Sequence, residues 1–382
     1  MKLTAKIKLL PNPEQHQALM ATLVRANDAC NFVSEGAWET KRFKQFDLHK
    51  LVYYSTKERF ELSAQMVVRC IAKVVDAYRL DKNRGDARVQ RVFRPTGAIA
   101  YDSRILSFKP AKKTVSIWTL GGRETIPYVG GQHHEYLLQY QQGEADLFYR
   151  KGNFYLLATC DIPDEETSEI NGMLGIDMGI VNLATDSEGE VFSGANVEAT
   201  RQWYQKRRAV LQSAGTRSSK RRLKKLSGKQ AKFQTNTNHV LSKSIVLKAK
   251  AQGFAIAIED LAGISMLVRK EKKRLRHSQR AKHSNWSYYQ LRSFLEYKSV
   301  LYGVTLTTID PAYTSRTCSV CSHCEKANRK SQAEFRCKSC GFQSGADLNA
   351  SQNIKKLGLR QVAYGAESSL SGASPRALAG GA

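Results

Sequence analysis

Hydrophobic and polar positions alternate strictly at the start of the chain. Leu3, Ala5, Ile7 and Leu9 share one face and Lys6 and Lys8 the other, which predicts an amphipathic strand with a basic outer side. Pro11-Asn12-Pro13 stops it. From Glu14 to Ala37 the spacing becomes helical, with Leu19, Leu23, Ala26 and Cys30 on one side, and helical patterns continue through Asp47 to Phe60 and Ser63 to Arg79. Phe32, Trp38, Phe43, Tyr53 and Tyr54 are read here as helix-packing aromatics rather than base-stacking ones. Between Arg94 and Pro163 the pattern changes to short β-type runs broken by Gly and Pro: Ile105–Phe108, Val115–Leu120, Glu135–Gln139 and Phe154–Ile162. With the first strand these predict a β-barrel carrying a helical insert.

Pro163 to Asn171 (PDEETSEIN) is an acidic, polar linker. After it, Gly172–Asp177, Val181–Asp186 and Val191–Phe192 read as three strands, with Ser187-Glu188-Gly189 as a turn. Asp186 and Glu188 sit at that turn and are read as structural. Phe254–Ile258 is a further buried strand, Trp286–Tyr302 a helix and Thr305–Ile309 a strand, a combination that suits an RNase H-like sheet. Beyond Lys356 the pattern fades, and Ser368–Ala382 reads as a flexible tail. The expected class is α/β, with several domains.

Charge narrows the partner. The 382 residues are 42% apolar, enough for two or three domains, and 60 Lys and Arg stand against 34 Asp and Glu, a net charge of +26. That excess argues for a polyanion, nucleic acid rather than a membrane. No run approaches the ~18 apolar residues of a spanning helix, and the start, MKLTAKIKLL, predicts no signal peptide. Arg201 to Lys250 carries fifteen Lys or Arg and no acid, interleaved with apolar residues such as Trp203, Leu226, Leu241 and Ile245. Long helices with one packed and one phosphate-facing side are expected there. A second basic segment, Arg269 to Lys282, is expected to be a loop near the cleft, with His277 and His283 as solvated residues.

Candidate chemistry rests on two clusters. Cys318 and Cys321 stand three apart, as do Cys337 and Cys340, with fifteen residues between the pairs. Two such knuckles make the tetrahedral four-cysteine site of one structural Zn2+. Cys324, an odd fifth thiol, is read as a spectator, and eight cysteines of which four bind metal fit a reducing cytoplasm. Asp177 and Glu259 each end an apolar run, and Asp347 stands near the start of a helix seven residues past the last cysteine ligand. Three convergent carboxylates beside a basic surface suit two Mg2+ ions for phosphodiester hydrolysis.

GIDMGIVNLATDSEGEVF, IAIEDLAGI and the cysteine segment followed by ADLNASQNI resemble the three RuvC segments of TnpB, a transposon-encoded, RNA-guided DNA nuclease related to type V CRISPR effectors. The resemblance covers roughly residues 1–357. It implies a wedge barrel from residues 1–10 and 94–163, a helical recognition lobe at 11–93, a linker at 164–171 and RuvC segments I and II at 172–313. A zinc ribbon at 314–344, RuvC segment III at 345–360 and a tail at 361–382 complete it. Asp177, Glu259 and Asp347 would be the catalytic Mg2+ ligands. A transposon-derived guide RNA would be cofactor and partner, double-stranded DNA beside a short flanking motif the target, and the bacterial or archaeal cytosol the location. Lys109, Lys112, Lys113, Arg123, Arg150 and Lys151 become candidate phosphate contacts. Two rivals remain: a transposase, whose third acid is typically Glu, and a guided DNA-binding repressor with weak or no cleavage.

Overall fold

The structure is a computed structural model and describes residues 1–84, 89–166, 169–261 and 288–371. The chain divides into two units, Met1–Pro163 and Asp164 onward. The expected loop at Arg269–Lys282 with His277 and His283, and the end of the chain past Ser371, lie outside the described residues.

In the first unit, β1 (Lys2–Leu9) buries Ala5, Ile7 and Leu9, the face set by its alternation. Asn12 then caps α1 (Pro13–Thr40): its side chain accepts from the Gln15 amide while Gln15 reaches back to the Asn12 amide, and Pro13 occupies the first turn. α2 (Gln45–Phe60) and α3 (Ala64–Arg84) follow and pack on α1 and on each other. Leu19, Leu23, Ala26 and Cys30 are all fully buried, as their spacing predicts. Three of the aromatics pack against rings of neighbouring helices, Phe32 on Phe60 and Trp38 and Phe43 on Tyr78, without being fully buried. Phe32, Trp38, Phe43 and Tyr53 are only half-buried, and Tyr54 is 80% exposed, its ring edge against Tyr53.

The remaining strands of this unit are β2 (Ile99–Tyr101), β3 (Leu106–Lys109), β4 (Thr114–Thr119), β5 (Gly122–Val129), β6 (Gln141–Arg150) and β7 (Asn153–Asp161). With β1 they form one sheet in the order β2-β6-β7-β1-β5-β4-β3. Its two edge strands follow one another in the chain, joined only by Asp102–Ile105, so the sheet curls into a nearly closed barrel. Glu135–Gln139, expected to be extended, belongs instead to a short helix, α4 (Gln132–Leu138). Adjacent Leu137 and Leu138 are both buried there, which a helix end against the barrel allows and a half-exposed strand does not. Of the candidate phosphate contacts, all are exposed, but Lys113 pairs with Glu135 at 3.1 Å and Arg123 bonds Ser116 and the Arg104 carbonyl.

The second unit holds a five-stranded sheet made from β8 (Gly172–Asp177), β9 (Asn182–Asp186), β10 (Val191–Ser193), β11 (Phe254–Glu259) and β12 (Leu306–Ile309), in the order β10-β9-β8-β11-β12. β8, β11 and β12 run parallel, and the β8-β9-β10 meander runs antiparallel. Between β10 and β11 come α5 (Ala195–Ser213) and α6 (Arg217–Gln252), the latter begun by a Thr216 cap and ended by Gly253 in the left-handed region. These are the long basic helices. Their apolar side is incomplete: Leu226, Leu241 and Ile245 are buried, whereas Trp203, Val210 and Val240 are more than half exposed. α7 (Tyr288–Leu301) precedes β12, and α8 (Ala346–Ser371) continues well past the point where its apolar pattern fades. Leu357 and Val362, partly buried against the sheet, and the small Gly358 keep one side of it packed, while helix formers such as Leu359, Arg360 and Gln361 face outward.

The sheet is covered on both faces. Leu174, Ile176, Ile256 and Ile258 meet α6 and α7, while Met173, Ala255 and Ala257 meet α8. The α8 face carries small residues. A Cβ at Gly175 would stand 2.2 Å from the Ser351 carbonyl oxygen, and one at Gly358 2.6 Å from the Ala257 Cβ, so the helix backbone lies directly on the strands.

Candidate active site and metal centre

The alternation that places Met173 and Gly175 under α8 places Asp177 on the same face. On the neighbouring strand Ala255 and Ala257 stand in register with Met173 and Gly175, and Glu259, the last residue of that strand, continues their alternation. Two acids therefore end adjacent parallel strands side by side. The third comes from the helix lying across them, because Asp347 occupies the first turn of α8. Burial and the nearby carboxylates of Glu259 and Asp347 push Asp177 up to about 7, and burial also raises Glu259, which is 9% exposed. Concentrated, desolvated negative charge of this kind is what a divalent cation relieves, and an all-oxygen donor set suits Mg2+.

Three residues without a motif of their own complete this centre. Thr314 donates its hydroxyl to Glu259 Oε1 at 2.5 Å, and Asn182 donates Nδ2 to Asp347 Oδ2 at 2.8 Å. Arg329, from the cysteine segment, is close enough to favour the ionised forms of both Asp177 and Glu259. Their only sequence signal is proximity to the motifs: Asn182 lies five residues after Asp177, and Thr314 four before Cys318.

The cysteine cluster is tighter. Among the described residues, Cys318, Cys321, Cys337 and Cys340 form the one group of His, Cys, Asp or Glu whose ligand atoms all lie within 4.8 Å of one another. Sγ–Sγ distances are 3.7 Å for Cys318–Cys340 and 3.5 Å for Cys321–Cys337. A disulfide needs about 2.05 Å, whereas the edge of a tetrahedron with metal–sulfur bonds of about 2.3 Å is about 3.8 Å. The distances fit a tetrahedral metal site and exclude bridges. Cys324 is exposed and outside the group.

Behind the ligands, Phe335 is buried against Cys318, Cys337 and Ala346. A small hairpin, β13 (Glu334–Arg336) and β14 (Gln343–Gly345), feeds straight into α8. Side chains of α8 hold the first knuckle: Asn349 accepts from the Ser319 amide at 2.9 Å and donates to the Thr317 carbonyl at 2.8 Å. Asn353 donates to the carbonyls of Thr314 and Thr317 at 2.9 and 2.7 Å. Ser351 bonds the Asp186 carbonyl at 3.0 Å on the sheet side. The polar residues of ADLNASQNI are thus buried fasteners joining ribbon, helix and sheet. Asp186 is structural in a further way, its carboxylate paired with Lys248 of α6 at 2.5 Å.

Residues 157–269 match the family model described as Probable transposase, and residues 288–354 match that of the Cas12f1-like TNB domain. Cas12f1 of Sulfoacidibacillus thermotolerans is 30% identical over 56% of this chain and 53% of its own length. InsQ of Escherichia coli K12 is 32% identical over 50% of each. The chain spans about half the length of these curated relatives. In fold, the Cas12f1 chain of a Cas12f1–sgRNA–target DNA complex superposes with a TM-score of 0.60, covering 90% of this chain and 83% of that one at 15% identity. Among the described residues no helix is long and apolar enough to cross a membrane. The resemblance to TnpB read from the motifs therefore holds, and the chain is related to the TnpB-like proteins and the Cas12f1 nucleases.

Proposed function

We propose that this protein is an RNA-guided DNA endonuclease of the TnpB type, cutting double-stranded DNA beside a short flanking motif. The observation that carries the reading is the placement of Asp177 and Glu259 at the carboxyl ends of adjacent parallel strands, with Asp347 in the first turn of α8 near Asp177. Relatives named as CRISPR-associated endodeoxyribonucleases support it. The three acids are proposed ligands of two Mg2+ ions. When bound, such a pair supplies an activated water and stabilises the departing oxygen. Thr314 and Asn182 hold two of the carboxylates in place. The four cysteines are proposed to bind one structural Zn2+, which fixes the hairpin that leads into Asp347.

The guide RNA, transposon-derived, would select DNA by base pairing while the protein reads guide shape and a duplex motif. The barrel and helices of residues 1–163 are proposed as the wedge and recognition parts. The exposed basic side of α6 is proposed to lie on nucleic-acid phosphates. The transposase reading does not require a four-cysteine site just before the third acid, and the repressor reading does not require three intact carboxylates. The deciding experiment is to sequence RNA that co-purifies with the protein, then use its 3′ end as guide in a Mg2+-dependent cleavage assay. A protein free of RNA, or one that binds the matched target without cutting it, overturns the reading.

A further inference from the structure

Asp177 does not stand alone on its row of the sheet. It pairs directly across from Thr185 of β9, and Thr185 pairs in turn with Val191 of β10. Residues directly opposite on antiparallel strands project from the same face. An acid, a hydroxyl and an aliphatic side chain thus follow one another outward in one line, about 10 Å long at the usual strand spacing. Beside this line is a cavity of about 400 Å3 whose walls include Asn182, Thr185, Val191, Ala333, Asp347 and Leu348.

Two features of this wall serve no purpose in the fold itself. Thr185 is 1% exposed, and its Oγ1 is buried with no hydrogen-bond partner among the described residues. Such hydroxyls are ordinarily satisfied. Val191, and Val181 beside it on the same cavity, stay 52% and 57% exposed although each could have been polar at no cost to the core.

We propose that this cavity receives the nucleobase adjoining the phosphodiester that is cut, an inference that rests on the nuclease reading above. The cavity and the carboxylate centre share Asp347 and its partner Asn182. A phosphate held over the acids therefore leaves its neighbouring nucleotide above Thr185 and Val191. The aliphatic walls offer a face for the base, and the Thr185 hydroxyl and the Asn182 and Gln332 amides offer groups for its edge. Among the described residues Asp347 is the sole charged one in the lining, so the cavity has nothing to hold a second phosphate. A base can enter only after leaving its stack, so the strand accepted here is single-stranded at the cut.

The test uses the guide-loaded full chain with Mg2+ and a short single-stranded DNA having one cleavable phosphodiester between phosphorothioate linkages. A matched strand carries an abasic site next to that bond. The wild-type protein should show a KM about tenfold higher for the abasic strand with kcat little changed. Val191→Ser should raise KM for the intact strand by a similar factor and leave the abasic strand unaffected. Thr185→Val, which keeps the shape and removes the hydroxyl, should reorder the preference among the four bases at that position without lowering the melting temperature. Equal KM values for intact and abasic strands, or a Val191→Ser penalty equal on both, would overturn the pocket. Fluorescence anisotropy on the same strands reads base dependence whether or not the bond is cut. Base-dependent binding without cleavage would sink the nuclease reading and spare the pocket.

Discussion

Thr314 and Glu259, 55 residues apart, meet through a 2.5 Å hydrogen bond in which the buried hydroxyl donates to the carboxylate. Thr314 opens the segment that carries the cysteines, so the bond ties the ribbon's root to an acid of the proposed Mg2+ centre. Outer partners of a ligand typically govern metal affinity by about ten- to a hundredfold. Thr314→Val should therefore raise the Mg2+ concentration for half-maximal cleavage by a factor in that range, with activity partly restored at saturating Mg2+. A Mg2+ titration unchanged from wild type would show that the bond is incidental.

Removing a ligand separates chemistry from recognition. Asp177→Ala or Asp347→Ala should reduce cleavage of both DNA strands to background while guided target binding persists, because the chain contains one such centre among its described residues. Gel-shift and cleavage assays on the guide-loaded variants decide the matter. Clean nicking of one strand by Asp347→Ala would place a second nuclease centre elsewhere.

The cysteine site predicts a stoichiometry. Metal analysis of the purified protein should give one zinc per chain, and Cys337→Ser should lose it together with cleavage. Structural zinc in isolated fingers binds with about 10–16 kcal/mol of apparent free energy, so the hairpin leading into Asp347 should lose its order. Protease cutting within residues 318–345 of the variant, and not of the wild type, is the expected readout.

On α6, Lys220, Arg221, Arg222, Lys224 and Lys225 are exposed and have no ion-pair partner among the described residues. Reversing all five to Glu should weaken RNA or heteroduplex binding with little sequence dependence. It should also flatten the dependence of log K on log salt by about 0.9 for each phosphate no longer neutralised. A slope equal to that of wild type would mark this side as merely solvated.

Stability should depend on pH through Lys298. It is 6% exposed and donates to the His239 carbonyl at 2.5 Å and Ser242 Oγ at 2.7 Å, neither of them charged. Burial, with a smaller contribution from Lys243, pushes its pKa down to about 8 from an ordinary 10.5. Between those values the unfolded chain binds more protons than the folded one, so stability rises with pH across that window, and the penalty is fully present below pH 8. Lys298→Met should be more stable than wild type by about 1–2 kcal/mol at pH 7, allowing for partial screening. The difference should close above pH 10. Melting temperatures measured from pH 7 to 10.5 would show a constant difference if Lys298 were not the cause.

The parts legible in the sequence were those whose signal is local. The spacing of Cys318, Cys321, Cys337 and Cys340 already confines four thiols to two knuckles, and apolar runs ending in Asp177 and Glu259 mark strand ends. What could not be read was which way those acids face, because β8 and β11 are apolar on both sides and their alternation carries no contrast. Thr314, Asn182 and Arg329 acquire their positions only when distant elements pack. Helix α4 escapes a periodicity argument because two adjacent leucines look the same in a strand core and at a short helix end. Of the aromatics read as helix-packing, Phe32 and Trp38 do meet rings of neighbouring helices, and Tyr54 is exposed because its position on α2 faces away from α1 and α3.

Gly175 has a consequence that reaches beyond packing. A Cβ there would collide with the α8 backbone, at 2.2 Å from the Ser351 oxygen and 2.4 Å from the Lys355 amide. Position 175 therefore acts as a shim between sheet and helix. Its thickness sets how far α8 stands off the strands, and through α8 it sets where the third acid arrives relative to the first two. One added methyl group, touching no ligand, would tilt Asp347 away from its partners, so the tolerance of the metal centre is machined in the core beneath it.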